Sequence, residues 1–146
     1  MQKLNFNNMK IKSFIAVTLL ALLVSCTKEG EETNKDIRTD YLGNWKCTQT
    51  SKLNGSTQFT VNIKADANDD SKINMFNFYS IGVNDSIYAI VSTTAANSLS
   101  IPQQTHSSDY IAGSGNDVST TKLTFDYTVD DGNAIDTITA VFNKIQ

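Results

Sequence analysis

The chain has 146 residues, 40% hydrophobic and 18% charged, with one proline, two cysteines, one histidine and a net charge of −3 at neutral pH. That length fits one domain, and the acidic balance argues against nucleic acid, whose phosphates demand a basic surface. One histidine and two cysteines do not furnish a tetrahedral zinc or iron–sulfur site, and no glycine-rich loop opens a helix as a phosphate-binding loop must.

The first element is an address. Lys3, Lys10 and Lys12 make a positive start, no acid precedes Glu29, and Phe14–Val24 is apolar except for Thr18. A membrane-spanning helix needs about 20 apolar residues; a basic start, a shorter apolar run and small residues at its exit describe a signal peptide. The exit reads Leu23-Val24-Ser25-Cys26. It resembles the lipobox of bacterial lipoproteins, and the resemblance implies cleavage after residue 25, acylation of Cys26 and attachment to a membrane through the lipid. The competing reading is an ordinary cleaved signal with an incidental cysteine. Each buried CH₂ contributes about 0.8 kcal/mol, so lasting attachment takes more than one acyl chain.

Removing residues 1–25 takes away three lysines and no acid, leaving nine basic residues against fifteen acidic, or −6. That balance also disfavours attraction to anionic lipids. Cys47 is then the one thiol left for the domain, so no internal disulfide is expected, and a buried, apolar role suits it. Thr27–Thr39 has Ile37 as its one apolar side chain; burial cannot order such a segment, so 26–39 reads as the acylated cysteine and a flexible tether. Extended, those thirteen residues after Cys26 reach at most roughly 45 Å. Lys28-Glu29-Gly30-Glu31-Glu32 resembles the surface-export signal of Bacteroidetes-type lipoproteins, which implies an outer-membrane protein exposed at the cell surface. A generic acidic linker, with the domain facing the periplasm, is the alternative.

Residues 40–146 form the domain, and they alternate. Tyr41–Thr50 is the first predicted strand, with Tyr41, Trp45 and Cys47 on one face, and Asn54-Gly55 is a strong hairpin signal. Thr57–Asp66 follows, with Phe59, Val61, Ile63 and Ala65 at a period of two. Ile73–Tyr79 is the third strand, and its apolar face changes between Met75 and Phe76, which predicts a bulge or burial on both sides. Ser86–Thr93 is the fourth, Ser98–Ile101 a short fifth ended by Pro102, and Asp109–Ser114 the sixth, before a glycine-rich turn over Gly113–Asn116. Ser119–Val129 places Leu123, Phe125, Tyr127 and Val129 on one face, Asp131-Gly132 turns the chain, and Ile135–Lys144 closes the series. Eight short-linked strands predict an all-β antiparallel up-and-down meander that closes into a barrel and so removes exposed edges. A β-sandwich is the alternative, because alternation and turns do not separate the two.

Tyr41-Leu42-Gly43-Asn44-Trp45 resembles the opening of the lipocalin/calycin superfamily, where Gly-x-Trp starts the first strand and the tryptophan plugs the barrel base. With Asn77-Phe78-Tyr79, Asn97–Pro102 and Phe125–Val129, the pattern is similar to small Bacteroidetes-type lipoproteins with a lipocalin-like domain. The resemblance implies a non-enzymatic binding or interaction module without a cofactor, taking a small apolar or glycan-derived ligand or an envelope protein. The arginine expected beside the plug tryptophan is absent, and Lys144 or Lys46 is the available substitute. A structural or accessory subunit of an outer-membrane complex, with a solid core, is the second expectation, and a hydrolase the weakest.

The candidate sites follow. Trp45, Phe59, Phe125 and Tyr127 line the interior if a cavity exists, but an eight-stranded barrel is just wide enough to be filled by its own side chains. Asp66, Asn68 and Asp70 alternate as in the first half of a calcium loop, yet Ser71 and Asn77 stand where such a loop needs glycine and glutamate; a polar hairpin tip explains them equally. His106 lies in a polar loop without the converging partners of a catalytic triad. Asp85-Ser86 and Asp136-Thr137 resemble the O-glycosylation acceptor of Bacteroidetes-type secreted proteins, with Asp85-Ser86 the better placed at a turn edge.

Overall fold

Each run of alternating polarity becomes a strand with one buried face. In the computed structural model, which describes residues 35–95 and 98–146, the strands are β1 (Gly43–Ser51), β2 (Gly55–Ala65), β3 (Lys72–Phe76), β4 (Ser86–Val91), β5 (Ser98–His106), β6 (Asp109–Ser119), β7 (Lys122–Asp130) and β8 (Ile135–Lys144). Every strand pairs antiparallel with its neighbour in sequence, and β8 returns to pair with β1, from Trp45 opposite Lys144 to Ser51 opposite Ile138. The sheet is therefore a closed up-and-down barrel. The sandwich alternative fails because one continuous ladder runs through all eight strands.

The strand directions define two ends. The base carries the start of β1, Trp45 and the β2–β3 loop, and the mouth carries the β1–β2, β3–β4, β5–β6 and β7–β8 connections. At the base Trp45 is fully buried, its Nε1 donates to the Tyr41 carbonyl at 2.8 Å, and the Lys144 ammonium sits 5.1 Å from its ring centroid while donating to the Asp40 carbonyl at 3.0 Å. Lys144, not Lys46, takes the cation's place over the plug.

The described residues begin at Lys35, ahead of Asp40. Arg38 is buried and its Nη1 donates to the carbonyls of Asp66 and Asp69, both at 2.8 Å. Its Nε and Nη2 bond the Asp36 carboxylate at 2.9 and 2.8 Å. The tether reading is thus corrected for residues 35–39: one guanidinium supplies the ordering that apolar burial could not. Cys26 and residues 27–34 lie outside the described residues.

Three further expectations change. β3 stops at Phe76 and the chain turns inward through a 3₁₀ turn, Phe78–Ser80, with Asn77, Tyr79 and Ser80 in the left-handed region (φ 62°, 56° and 63°). That turn swings Phe78 into the barrel, fully buried, with ring centroids 4.7 Å from Tyr127, 5.8 Å from Phe125 and 6.0 Å from Phe142. Conformations this costly for non-glycine residues persist where the surroundings over-determine them, and here the aromatic packing does so. The change of apolar face at Met75/Phe76 marks where the strand gives way to the plug.

β5 does not end at Pro102. It continues to His106 through a bulge between Ile101 and Gln104. β4 and β5 share only the pairs Ile90–Ser100 and Val91–Leu99. Beyond them the Gln104 side chain takes the place of a strand: its Oε1 accepts from the Tyr88 N–H and its Nε2 donates to the Tyr88 carbonyl, both at 2.8 Å. An amide has the donor–acceptor pair of a peptide unit, so it spans a seam at which proline has no N–H to offer. Nor is Gly113–Asn116 a turn; it lies inside β6, opposite Tyr127 to Thr124 of β7. A Cβ at Gly115 would stand 2.5 Å from the Phe125 ring, so glycine is required there for close approach, not for a bend.

Phe78→Ala removes the side chain around which the three aromatic rings pack. A loss of about 3–5 kcal/mol is expected, read as a lower denaturant midpoint in equilibrium unfolding.

Candidate functional site

β1 points Trp45, Cys47, Gln49 and Ser51 inward, all buried. The face begins apolar at the base and turns polar at the mouth. Tyr127 Oη donates to Gln49 Oε1 at 2.6 Å, and Ser51 Oγ donates to Asp136 Oδ2 at 2.5 Å. Ser51 Oγ also accepts the N–H groups of Asn54 (2.7 Å) and Leu53 (3.1 Å), and Leu53 N–H reaches Asp136 Oδ1 at 3.3 Å. Buried polar groups are stable only when partnered, and these partners tie the β1–β2 hairpin to β8.

Above this layer lies a cleft of about 450 Å³, with Gln49 and Ser51 on its floor, Thr57 and Phe59 of β2 along one side and Tyr79 of the plug turn on another. β2 runs to Gly55, but β3 pairs with it only from Asn62 to Ala65. The upper half of β2 therefore has no strand on that side, and the inward-folded turn leaves the cleft beside it. Tyr79 meets Tyr127 edge to face at 6.1 Å, and burial raises its hydroxyl above the ordinary tyrosine value.

Of the four residues expected to line a cavity, Phe59 alone lines the cleft. Trp45 is the base plug, and Phe125 and Tyr127 are buried against Phe78, so the barrel axis is filled by side chains, as the width of an eight-stranded barrel allows. Tyr127 still reaches the site by orienting Gln49. The residues missed are Gln49, Ser51 and Tyr79. Gln49 and Ser51 had a legible signal: they continue the Trp45–Cys47 face at a period of two, as polar residues at positions that should be core.

The other candidates disperse. Asp66 Oδ1 accepts from the Asn68 N–H at 2.9 Å and its Oδ2 from Asn74 Nδ2 at 2.9 Å, while the exposed Asp70 carboxylate meets Arg38 Nη2 at 3.3 Å. With the Asp66 and Asp69 carbonyls also given to Arg38, a guanidinium is the cation this loop holds. Among the described residues no three His, Cys, Asp or Glu converge as a metal site. His106 pairs with Asp109 in the β5–β6 hairpin register and does not line the cleft. Ser86 is exposed at the start of β4, whereas Asp136 is buried under Ser51. No described helix is long and apolar enough to cross a membrane.

No protein-family model and no curated protein matches the chain. Solved structures do. The redesigned β-barrel b11L5F_LGL is similar at 17% identity and a TM-score of 0.55, over 76% of this chain and 96% of that one. EF1p2_mFAP2b bound to DFHBI aligns at 15% identity and 0.53, over 75% and 98%, and the redesigned barrel mFAP1 bound to DFHBI at 16% and 0.51, over 75% and 99%. At such identity the likeness is one of fold: the chain is an all-β, closed up-and-down barrel of eight antiparallel strands.

Burial pushes the Cys47 thiol up to about 12 and raises Tyr127 above its ordinary value. An unfolded thiol ionises near 9.0, so above that pH the unfolded chain binds fewer protons than the folded one. Stability is then full below pH 9 and falls as pH rises toward 12, by up to about 1.4 kcal/mol per pH unit for each such group. Denaturant midpoints measured at pH 8 and pH 10.5 should show the drop. Cys47 should react with a disulfide reagent only on unfolding.

Proposed function

We propose that the chain is a lipid-anchored envelope protein, held through Cys26, whose barrel is a non-enzymatic binding module that takes a small ligand at its mouth. The observation that carries this reading is the cleft of about 450 Å³ floored by the buried Gln49 and Ser51. Its size falls within the range of small-molecule sites, and its aromatic walls with a few placed polar groups match their chemistry. Two barrels of the same fold are bound to DFHBI, which supports ligand binding as something this architecture can do. Arg38 grips the β2–β3 loop at the base, and the cleft lies at the other end of the barrel.

A second reading, an accessory subunit of an outer-membrane complex, rests on a different observation. The core is filled by Phe78, and each of the four mouth connections carries or adjoins an exposed apolar side chain: Leu53, Val83, Tyr110 and Ile135, at 61%, 74%, 48% and 64% exposure. Ile37, Val118 and Ile145 are exposed at the base as well, so what favours the mouth is the presence of one such side chain at each of its four connections.

Two measurements test the proposal. Replacing Cys26 by Ser should abolish labelling by radioactive palmitate and release the protein from the membrane fraction; retained labelling would remove the anchor. Native mass spectrometry of protein taken from the envelope should show a small adduct that Thr57→Trp, which fills the cleft, displaces. A bare protein that instead loses a co-purifying envelope protein on Leu53→Asp and Val83→Asp would favour the accessory reading.

A further inference from the structure

The chemistry of the mouth cleft narrows what it can hold. The inference rests on the cleft-binding reading and adds the ligand class. We infer that the cleft takes an uncharged, hydroxyl-bearing ring of saccharide type, seated against Phe59 and Tyr79 and held by the amide nitrogen of Gln49.

Gln49 is the centre of the argument. It is 5% exposed, and its Oε1 accepts the Tyr127 hydroxyl at 2.6 Å. That bond sets which way the amide faces. Its Nε2, with two donor hydrogens, has no partner among the described residues, yet the side chain lines the cleft. Among the fully buried side-chain nitrogens and oxygens of the described residues Asp117 Oδ1 alone lacks a partner, so Nε2 is open to the water of the cleft, and an acceptor on a ligand would take that water's place. An apolar ligand would seal that donor away from water, so the floor selects against hydrocarbon.

Charge excludes other classes. Among the described residues no Asp, Glu, Lys, Arg or His lines the cleft. Behind the floor the Asp136 carboxylate is buried, with one oxygen on Ser51 and the other on the Leu53 N–H. The neighbouring mouth hairpins add Asp109, Asp130 and Asp131. These carboxylates outnumber Lys52, the exposed cation of the β1–β2 hairpin, so carboxylated or phosphorylated ligands meet a net negative mouth. A cation gains little, because the nearest carboxylate already has its partners.

The walls supply the remaining constraint. Phe59 and Tyr79 offer apolar surface beside Thr57, which shares the inward face of β2 with Phe59. A sugar ring has the matching surface: C–H groups on its faces and hydroxyls around its edge, each hydroxyl both donor and acceptor. It can rest a face on the aromatics while its rim accepts from Gln49.

Saturation-transfer NMR on the full-length protein tests this, in a polyoxyethylene detergent because sugar-headed detergents would compete. The probes are maltotriose and chitotriose as neutral saccharides, trigalacturonate as their acidic counterpart and 2-naphthol as an apolar ring. Transfer to ring C–H protons of at least one neutral probe is expected, with trigalacturonate at least about tenfold weaker. Thr57→Trp should abolish the signal. Gln49→Leu should weaken it about tenfold, and Tyr127→Phe, which leaves Gln49 in place but frees its amide to turn, should weaken it less, with the fold intact by circular dichroism in each case. Naphthol binding without saccharide binding, lost on Thr57→Trp, would overturn the saccharide class and leave the cleft reading standing. Absence of binding by every probe would overturn the inference and remove support from the cleft reading too. Saccharide binding unchanged in both Gln49→Leu and Thr57→Trp would overturn the assignment to this cleft.

Discussion

Phe78 sits where the barrel axis would otherwise be open, and its contacts with Phe125, Tyr127 and Phe142 organise everything above and below it. Eight strands enclose a space that side chains can just fill, and here one side chain from a connection completes the filling. The backbone reaches that place only by passing through left-handed conformations at Asn77, Tyr79 and Ser80. Asn77 stabilises the detour: its Nδ2 donates to the Thr60 carbonyl at 2.8 Å and its Oδ1 accepts the Gly82 N–H at 3.1 Å. Because β3 is spent after five residues, the connection that would have continued it becomes both the plug and one wall of the mouth cleft. Core packing and binding geometry are therefore one event.

The two ends of the barrel are closed by different chemistry. At the base, cations do the work: Arg38 gathers loop carbonyls, and Lys144 lies over Trp45 while bonding the Asp40 carbonyl. These donors satisfy backbone oxygens that a buried loop end would otherwise leave unpaired. At the mouth the closing groups are neutral or anionic, with Gln49, Tyr127, Ser51 and Asp136 in two hydrogen-bonded pairs. A barrel tied shut below and layered with polar groups above has a direction, and its cleft lies at the mouth.

Side chains also repair what the backbone cannot do. The β4–β5 seam would gape past Pro102, and the Gln104 amide bridges it by imitating a peptide unit toward Tyr88. The same residue type serves opposite ends. Gln104 uses both halves of its amide on protein, whereas Gln49 uses one half and turns the other to the cleft.

Strand number, order and inward faces were legible because the period of two survives in each segment. Leu123 to Val129, for example, alternates without a break and is buried at every second residue. The Asn54-Gly55 and Asp131-Gly132 turns were legible for the same local reason, with Gly55 and Gly132 at φ 75° and 83°. What failed locally was Pro102, Gly113–Asn116 and Asn77–Tyr79, each of which looks like a terminator or a strand by composition. Their roles depend on partners distant in sequence: Tyr88 for Gln104, Phe125 for Gly115 and Phe142 for Phe78. The sequence by itself determined that the chain would be an alternating antiparallel β meander of eight strands. Only the tertiary structure decided that the interior is filled and the cleft lies at the mouth, because those outcomes follow from which side chains meet across the closed barrel, and alternation carries no information about that meeting.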